Sequence, residues 1–404
     1  MLEPAEPTKV TAGGFWRLLP AGMRRRWWLF RTTDAMQRSK MLARARKGVL
    51  VIRMDGIGDM VLFRNSLDDY AKAFGVPKEQ IFIVGCKSWE SVADHVFDGY
   101  HVMAIDEHKY AKRLLYRIWV NARVRRLNVA VTVCDAYFRR ALMADSLARV
   151  AGAPKTIMSL PYINGPTRAE YAWYLSQVSD VIDTGPYPRH EIERHAAFIA
   201  HFTGDAPAPK APKLPWRENP PPLPTNGPTN GPTDKPYAVL NPGSNEYGRR
   251  WPMAQYIELA GWLAAQGLRV VFIGKADEKA AAIPASDAII DLTGKTTLPE
   301  MFDLMQSAAL VVSNDTGPAH VAIGLGAPSV VIVGGGHFGC FVPYPESVRP
   351  ETARFVYRRM DCYHCFWRCH KREDAKASFP CVEAVGMDQV QEACSDVLKA
   401  APAK

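Results

Sequence analysis

No stretch of this sequence approaches the ~20 consecutive apolar residues that a membrane-spanning helix needs, so no spanning segment is expected in it. Its start lacks a compact apolar run followed by a small-residue cleavage site, and the reading is of a chain without a signal peptide. Cysteine is scarce, eight in 404 residues, and four of the eight cluster late in the chain. In a chain that otherwise reads as cytosolic, that argues against a disulfide framework. Acidic residues are outnumbered, 41 against 50 Lys and Arg, for a formal charge of +9. The excess points to anionic partners, among which nucleic acid, acidic lipid and phosphorylated sugar all fit. No nucleic-acid module or aromatic stacking platform is present, which removes nucleic acid. A cytoplasmic protein, peripheral at the inner face of the cytoplasmic membrane, is the expectation.

Apolar residues at 48% and charged residues at 23% describe a globular chain, and its length suits two domains. Residues 1–47 form a basic, aromatic extension. Phe15, Trp16, Leu18 and Leu19 surround Arg17, and Arg24–Arg26 lead into Trp27, Trp28, Leu29 and Phe30. Indole rings and guanidinium groups suit a headgroup layer, so residues 15–31 are expected to touch a membrane surface. The plainer alternative is a helix packed on the body of the protein, and Pro20 argues against one continuous helix.

From Gly48 short apolar runs alternate with helical stretches. Strands are expected at 49–53, 81–84, 101–105 and 128–133, with helices over 59–74 and 110–126. Residues 206–236, rich in proline and carrying Thr-Asn-Gly-Pro twice, break the pattern and read as a linker. Alternation then resumes. Strands are expected at 237–240, 269–273, 288–291, 310–313 and 329–333, and helices at 253–266, at 298–307 and from Pro318. The division is therefore 1–47, 48–205, 206–236 and 237–404, with two doubly wound α/β domains facing across a cleft.

Two segments could carry chemistry. In the first, the strand at 310–313 runs into Asn314, Asp315, Thr316, Gly317 and Pro318, and then a helix. Free backbone N–H groups and the positive end of a helix dipole suit a diphosphate. Gly317 lets a backbone approach closely, Thr316 adds a hydroxyl, and His320 could turn back to the same anion. Asp315 sits oddly beside an anion and is assigned to sugar hydroxyls. An ordinary helix cap with His320 simply packed reads the same letters. In the second segment, Asn241-Pro242-Gly243-Ser244 precedes Arg249, Arg250 and Trp251. A guanidinium there could neutralise a leaving phosphate, or simply be solvated.

These motifs occur in order with Gly274-x-x-x-Glu278 and Leu292-Thr293-Gly294-Lys295, and together they resemble glycosyltransferase family 9, the ADP-heptose:lipopolysaccharide heptosyltransferases. The likeness runs from about Gly48 onward. It implies the GT-B arrangement of two Rossmann-like domains and a donor domain at the C-terminal end. It also implies an inverting transfer without metal or other cofactor, from a nucleotide-sugar donor to a glycolipid or glycan acceptor. Asp59, following Gly58 after the first strand, is the implied general base, with Asp55 its competitor on the same loop. The helix dipole would lower the pKa of that base and keep it ionised, and the structural alternative for Asp59 is a helix-start carboxylate that only complements the dipole. Arg249 stands where the family has a phosphate-binding lysine. Ser244, Asn314, Asp315, Thr316, Gly317 and His320 fall in the donor-binding segments, and Glu278 matches an acid that binds ribose hydroxyls.

Gly334-Gly335-Gly336 replaces the Gly-Pro-Thr usual near the donor, which leaves a different sugar or nucleotide open. A nucleotide-sugar 2-epimerase and a non-catalytic sugar-binding relative remain as other readings. Cys362, Cys365, Cys369 and Cys381 have the spacing of a structural zinc site, against the plainer reading of reduced thiols.

Overall fold

The computed structural model describes residues 26–38, 46–165, 167–205, 207–221, 236–278, 283–284 and 286–401. The calls on residues 1–25 and 39–45, and on 206 and 222–235 of the proline-rich stretch, lie outside these. Among the described residues, strands β1 (Val49–Arg53), β2 (Ile81–Cys86), β3 (His101–Ile105), β4 (Val131–Cys134), β5 (Lys155–Ser159) and β6 (Asp180–Ile182) form one sheet. A second contains β7 (Tyr237–Asn241), β8 (Arg269–Phe272), β9 (Ile289–Asp291), β10 (Leu310–Asn314), β11 (Ser329–Ile332) and β12 (Ala353–Val356). Their orders are β3-β2-β1-β4-β5-β6 and β12-β11-β10-β7-β8-β9, and every pairing is parallel. The two orders are the same doubly wound plan. Each reverses once, between β1 and β4 and between β7 and β10, and ligands of such sheets bind at that reversal. The expected pair of Rossmann-like domains in a GT-B arrangement is what the chain forms.

Central strands of parallel sheets are covered on both faces, so they read as unbroken apolar runs. All five residues of β1 and of β7 are buried accordingly. The first half supplies helices α1 (Arg26–Arg38), α2 (Ile57–Phe63), α3 (Ser66–Phe74), α4 (Ala93–Val96), α5 (Glu107–Lys112), α6 (Leu114–Arg126), α7 (Ser146–Ala151), α8 (Arg168–Leu175) and α9 (Glu191–Thr203). The second supplies α10 (Met253–Ala265), α11 (Leu298–Ser307), α12 (Gly317–Gly324), α13 (Pro380–Glu383) and α14 (Met387–Ala400). One apolar cluster runs from Val51, Phe63 and Leu67 of the first half into Phe302, Met305 and Val321 of the second, so the domains share core.

Several expectations need correction. The helix expected over 59–74 begins at Ile57 and divides into α2 and α3, although Arg64 and Asn65 between them keep helical dihedrals. The helix expected over 110–126 breaks at Arg113, whose φ −113° and ψ 110° are extended. The strand expected from Asn128 starts at Val131, because Asn128 sits at φ 52° in the left-handed region. Residues 207–221 of the expected linker are anchored at two points: Leu214 is buried, its N–H donates to Gly324 O at 2.7 Å, and Trp216 Nε1 donates to Asp303 at 2.8 Å. Two apolar anchors outweigh the proline content around them.

The last part of the N-terminal extension is also built into the body. Phe30 of α1 is buried under the Arg117 guanidinium, 4.1 Å from its ring centroid. Asp34 is wholly buried, pairing with Arg117 Nη2 at 3.3 Å and accepting from Tyr174 OH at 2.8 Å. Phe30 is therefore spent on the protein core and is not free to meet a membrane. No helix among the described residues is long and apolar enough to cross one.

Candidate active site

Strand β1 delivers Arg53 to the carboxyl edge of the first sheet. There its guanidinium bridges two acids, Asp55 through Nη2 at 2.7 Å and Asp135, just past β4, through Nη1 at 2.7 Å. Asp135 also accepts from Tyr70 OH at 2.9 Å and lies 2.9 Å from His195 Nδ1. Gly56 then caps α2, and Asp59 falls in its first turn with the carboxyl turned back toward Gly56. Burial pushes the Asp59 pKa up, while Arg53, the backbone at Asp59 and Gly56, and Arg249 from the other domain pull against it. The expectation that the helix dipole would lower this pKa is thus reversed, because desolvation outweighs the dipole. Burial likewise raises Asp55, to about 6, against the opposing pull of Arg53.

Across from this loop, β7 ends in Asn241-Pro242-Gly243-Ser244, and a short turn (Tyr247–Arg249) presents Arg249. Its Nη1 donates to Asp315 O at 3.2 Å and its guanidinium lies 4.1 Å from the Trp367 ring centroid. Ser244 Oγ and Arg249 Nε are buried without a protein partner among the described residues. Glu278 accepts from Lys275 N–H at 2.8 Å and sits 3.5 Å from Arg250 Nη2. Its carboxylate lies flat on Gly243, where a Cβ would come within 2.0 Å of Oε2.

Between the two halves lies a cleft of about 1160 Å³, lined by residues of both domains. Pockets for single small ligands are usually about 300–1,000 Å³, so this one has room for more than a nucleotide. Asp55 and Asp59 line one side, while Ser244, Arg249, Glu278, Thr316, Gly317 and Pro318 line the other. Sequence reasoning did not single out Ser88, Glu107, His108, Arg139, Arg140 or Lys275, which line it as well. Each follows the end of a strand, and the rule that ligands gather at strand carboxyl ends was the signal that could have found them.

Three residues of the β10 segment have other work. Asn314 is fully buried; its Oδ1 accepts from Trp251 N–H at 3.0 Å and Tyr256 OH at 3.1 Å, and its Nδ2 donates to Pro242 O at 2.8 Å. It ties the loop after β7 to the loop after β10. Asp315 is buried, which raises its pKa, and it does not line the cleft. His320 stacks on Tyr344, with Nδ1 2.8 Å from the hydroxyl, and burial lowers its pKa to about 4. His320 is packed against Tyr344 and is not among the residues that line the cleft, which is the placement the packed reading describes.

Gly317 does allow a close approach, but to the other domain. A Cβ there would stand 2.2 Å from Ile57 Cγ2, and one on Gly58 would stand 2.9 Å from His320 Cδ2. Helices α2 and α12 touch through these two glycines. Gly317→Ala is expected to destabilise the protein by about 1–3 kcal/mol through overpacking, read as a lower urea midpoint; an unchanged midpoint would mean that Ile57 simply swings aside.

The glycine-rich loop is corrected too. Cβ atoms on Gly335 and Gly336 would meet Tyr363 at 2.3 Å and Trp367 at 2.2 Å, and neither glycine lines the cleft. These glycines make room for aromatic rings of the cysteine-rich segment, which in turn sets Trp367 against Arg249. Cys362, Cys365, Cys369 and Cys381 line one small cavity there, and burial pushes Cys381 up to about 11. Among the described residues no group of three or more His, Cys, Asp and Glu is arranged to hold a metal ion, so the zinc set is not assembled.

The comparisons with known proteins point one way. The family model described as glycosyltransferase family 9 (heptosyltransferase) matches residues 161–364, just over half of the chain. Lipooligosaccharide heptosyltransferase 2 of Haemophilus influenzae is 34% identical over 110 residues, which is 25% of this chain and 32% of that protein. The chain thus matches about a third of the length of such curated relatives. A family 9 glycosyl transferase from Veillonella parvula superposes with TM-score 0.66 at 16% identity, over 89% of this chain and all of the other. The E. coli ADP-heptose LPS heptosyltransferase II superposes with TM-score 0.63 at 17% identity, over 87% of this chain and 99% of the other. With its own sheet order repeated twice, its cleft at both reversals and a family model matched over more than half its length, the chain belongs to glycosyltransferase family 9.

Proposed function

We propose that this protein is an inverting glycosyltransferase that needs no metal ion. It moves a heptose-like sugar from a nucleotide-diphosphate donor, ADP-heptose first, to a lipopolysaccharide core or another cell-surface glycan, working at the inner face of the cytoplasmic membrane. The observation that carries this reading is the opposition, across one cleft, of a buried carboxylate with raised pKa (Asp59) and a cationic helix start (Arg249 with Thr316 and Gly317). Asp59 takes the acceptor hydroxyl's proton while that oxygen attacks the anomeric carbon and the bond to the diphosphate breaks. The departing charge is met by Arg249, the Ser244 hydroxyl and the free N–H groups of α12. Those fixed donors take the part a metal plays elsewhere. Glu278, held against Gly243 at the rim, receives the ribose hydroxyls of the donor. With the glycines at 334–336 packed under Tyr363 and Trp367, that loop gives no ground for a donor other than ADP-heptose.

A panel of nucleotides and nucleotide sugars, read by thermal shift, tests the donor. A ligand at ~100 times its dissociation constant stabilises by about 2.7 kcal/mol, and ADP compounds are expected to give that shift. A shift with another nucleotide and none with ADP would overturn the donor. Arg249→Ala is expected to weaken ADP about 10- to 100-fold, as loss of a charge-assisted contact does. Product analysis without acceptor separates transfer from epimerisation, since an epimerase would alter the nucleotide sugar unaided.

A further inference from the structure

Helix α6 carries apolar side chains on both of its faces. Its inward positions place Val120 and Val124 in the core beside the buried Arg117 and Asn121, with Arg117 paired to Asp34. Its outward positions carry Leu115 at 81% exposure, Trp119 at 50% and Ile118 at 37%. Surface helices normally place their apolar stripe against the core. Here a second stripe of large apolar side chains faces out, a pattern that suits a second apolar phase.

Charge on the same face is of one sign. Helix α6 contains no acidic residue, and Lys112, Arg113, Arg123 and Arg126 around the stripe are exposed, with no ion pair to a described carboxylate. Helix α1 packs beside it and adds the exposed Met36. The sequence ahead of α1 carries Phe15, Trp16, Arg17, Arg24 and Arg25.

We infer that the outer face of α6 and α1 docks on an anionic phospholipid bilayer, with Leu115, Ile118 and Trp119 entering the headgroup layer and the surrounding Lys and Arg meeting lipid phosphates. Helix α5, immediately before α6, places Glu107 and His108 in the cleft, so docking sets that side of the cleft toward the lipid surface. That use of the surface rests on the transfer reading; the binding itself does not.

The full chain is sedimented with phosphatidylcholine vesicles with and without phosphatidylglycerol, in the absence of donor and acceptor. Binding is expected to require the anionic lipid and to fall as salt rises. Leu115→Ser with Trp119→Ser should cut the partition coefficient about tenfold or more. Arg113→Gln, Arg123→Gln and Arg126→Gln should each lower it about fivefold on anionic vesicles. Unchanged thermal midpoints and ADP affinity would show that the variants fold. Wild-type partition in these variants, or equal binding to neutral vesicles, overturns the proposal. So does concentration-dependent dimerisation that the Leu115/Trp119 variant abolishes while no vesicle binds, since the occupant would then be a second copy. Vesicle binding without any transfer activity would leave the docking surface standing and sink the enzymatic reading alone.

Discussion

Asp59→Asn is expected to lower transfer about 10²- to 10⁴-fold, the range typical of a lost general base, with donor affinity nearly unchanged. Asparagine keeps the size of the side chain and its place in the first turn of α2, so the loop has no reason to move. What disappears is the ability to accept the acceptor's proton. The pH profile gives an independent check. A general base works only when ionised, so activity is present above its pKa and lost as pH falls through it. Burial raises the Asp59 pKa, and so the acid limb of kcat/KM should lie above the ordinary carboxylate range of ~4. Asp55 is the control. It is held by Arg53 at 2.7 Å, and the Asp59 charge raises its pKa, a repulsion between like charges that acts on both carboxylates. Asp55→Asn should therefore slow transfer less and move the acid limb to lower pH, because one neighbouring negative charge is gone. If Asp55→Asn were the dead variant and Asp59→Asn the slow one, the assignment of the base would exchange.

Asp135→Ala is expected to cost about 3–5 kcal/mol of stability, the usual price of leaving a buried charge alone. The carboxylate is fully buried at the end of β4, and its loss strips partners from Arg53, Tyr70 and His195 together. Burial alone would push its pKa up, but His195 and Arg53 pull harder and hold it well below the usual carboxylate range. A depressed folded pKa stabilises the protein above the unfolded value of about 4 and loses that contribution as pH falls through the folded one. The wild type should accordingly lose stability in acid in a way the variant does not. Urea unfolding across pH measures both. A loss under about 1 kcal/mol at neutral pH would mean that water replaces the carboxylate and that the network is not the frame of the Asp55 loop.

Much of the fold is legible because buried parallel strands announce themselves. Val49 to Ile52 and Leu310 to Val312 are unbroken apolar runs, and their order along the chain already implies two wound sheets. Strands β5, β6 and β12 escaped because Lys155, Asp180 and Arg354 interrupt them at exposed or half-exposed edges. Helix α1 was read as a membrane element because tryptophan and arginine look the same in a headgroup layer and over a buried ring. Only the pairing of Asp34 with Arg117, 83 positions apart, decides for Phe30. The candidate site divides the same way. Residues that face the cleft and residues that hold it, such as Thr316 and Asn314, are neighbours in the motif. The Arg53–Asp135 bridge depends on β1 lying beside β4, which no spacing in the chain reveals.

The glycine contact between α2 and α12 has a mechanical meaning. Each helix starts at the cleft, one carrying Asp59 and the other opening with Thr316, and they meet closely enough that neither Gly58 nor Gly317 has room for a methyl group. Such a junction sets a spacing. With the two backbones in contact at Gly58 and Gly317, a methyl group on either one has to push the domains apart, so the distance between Asp59 and Thr316 across the cleft is held by main chain that has no rotamer to change.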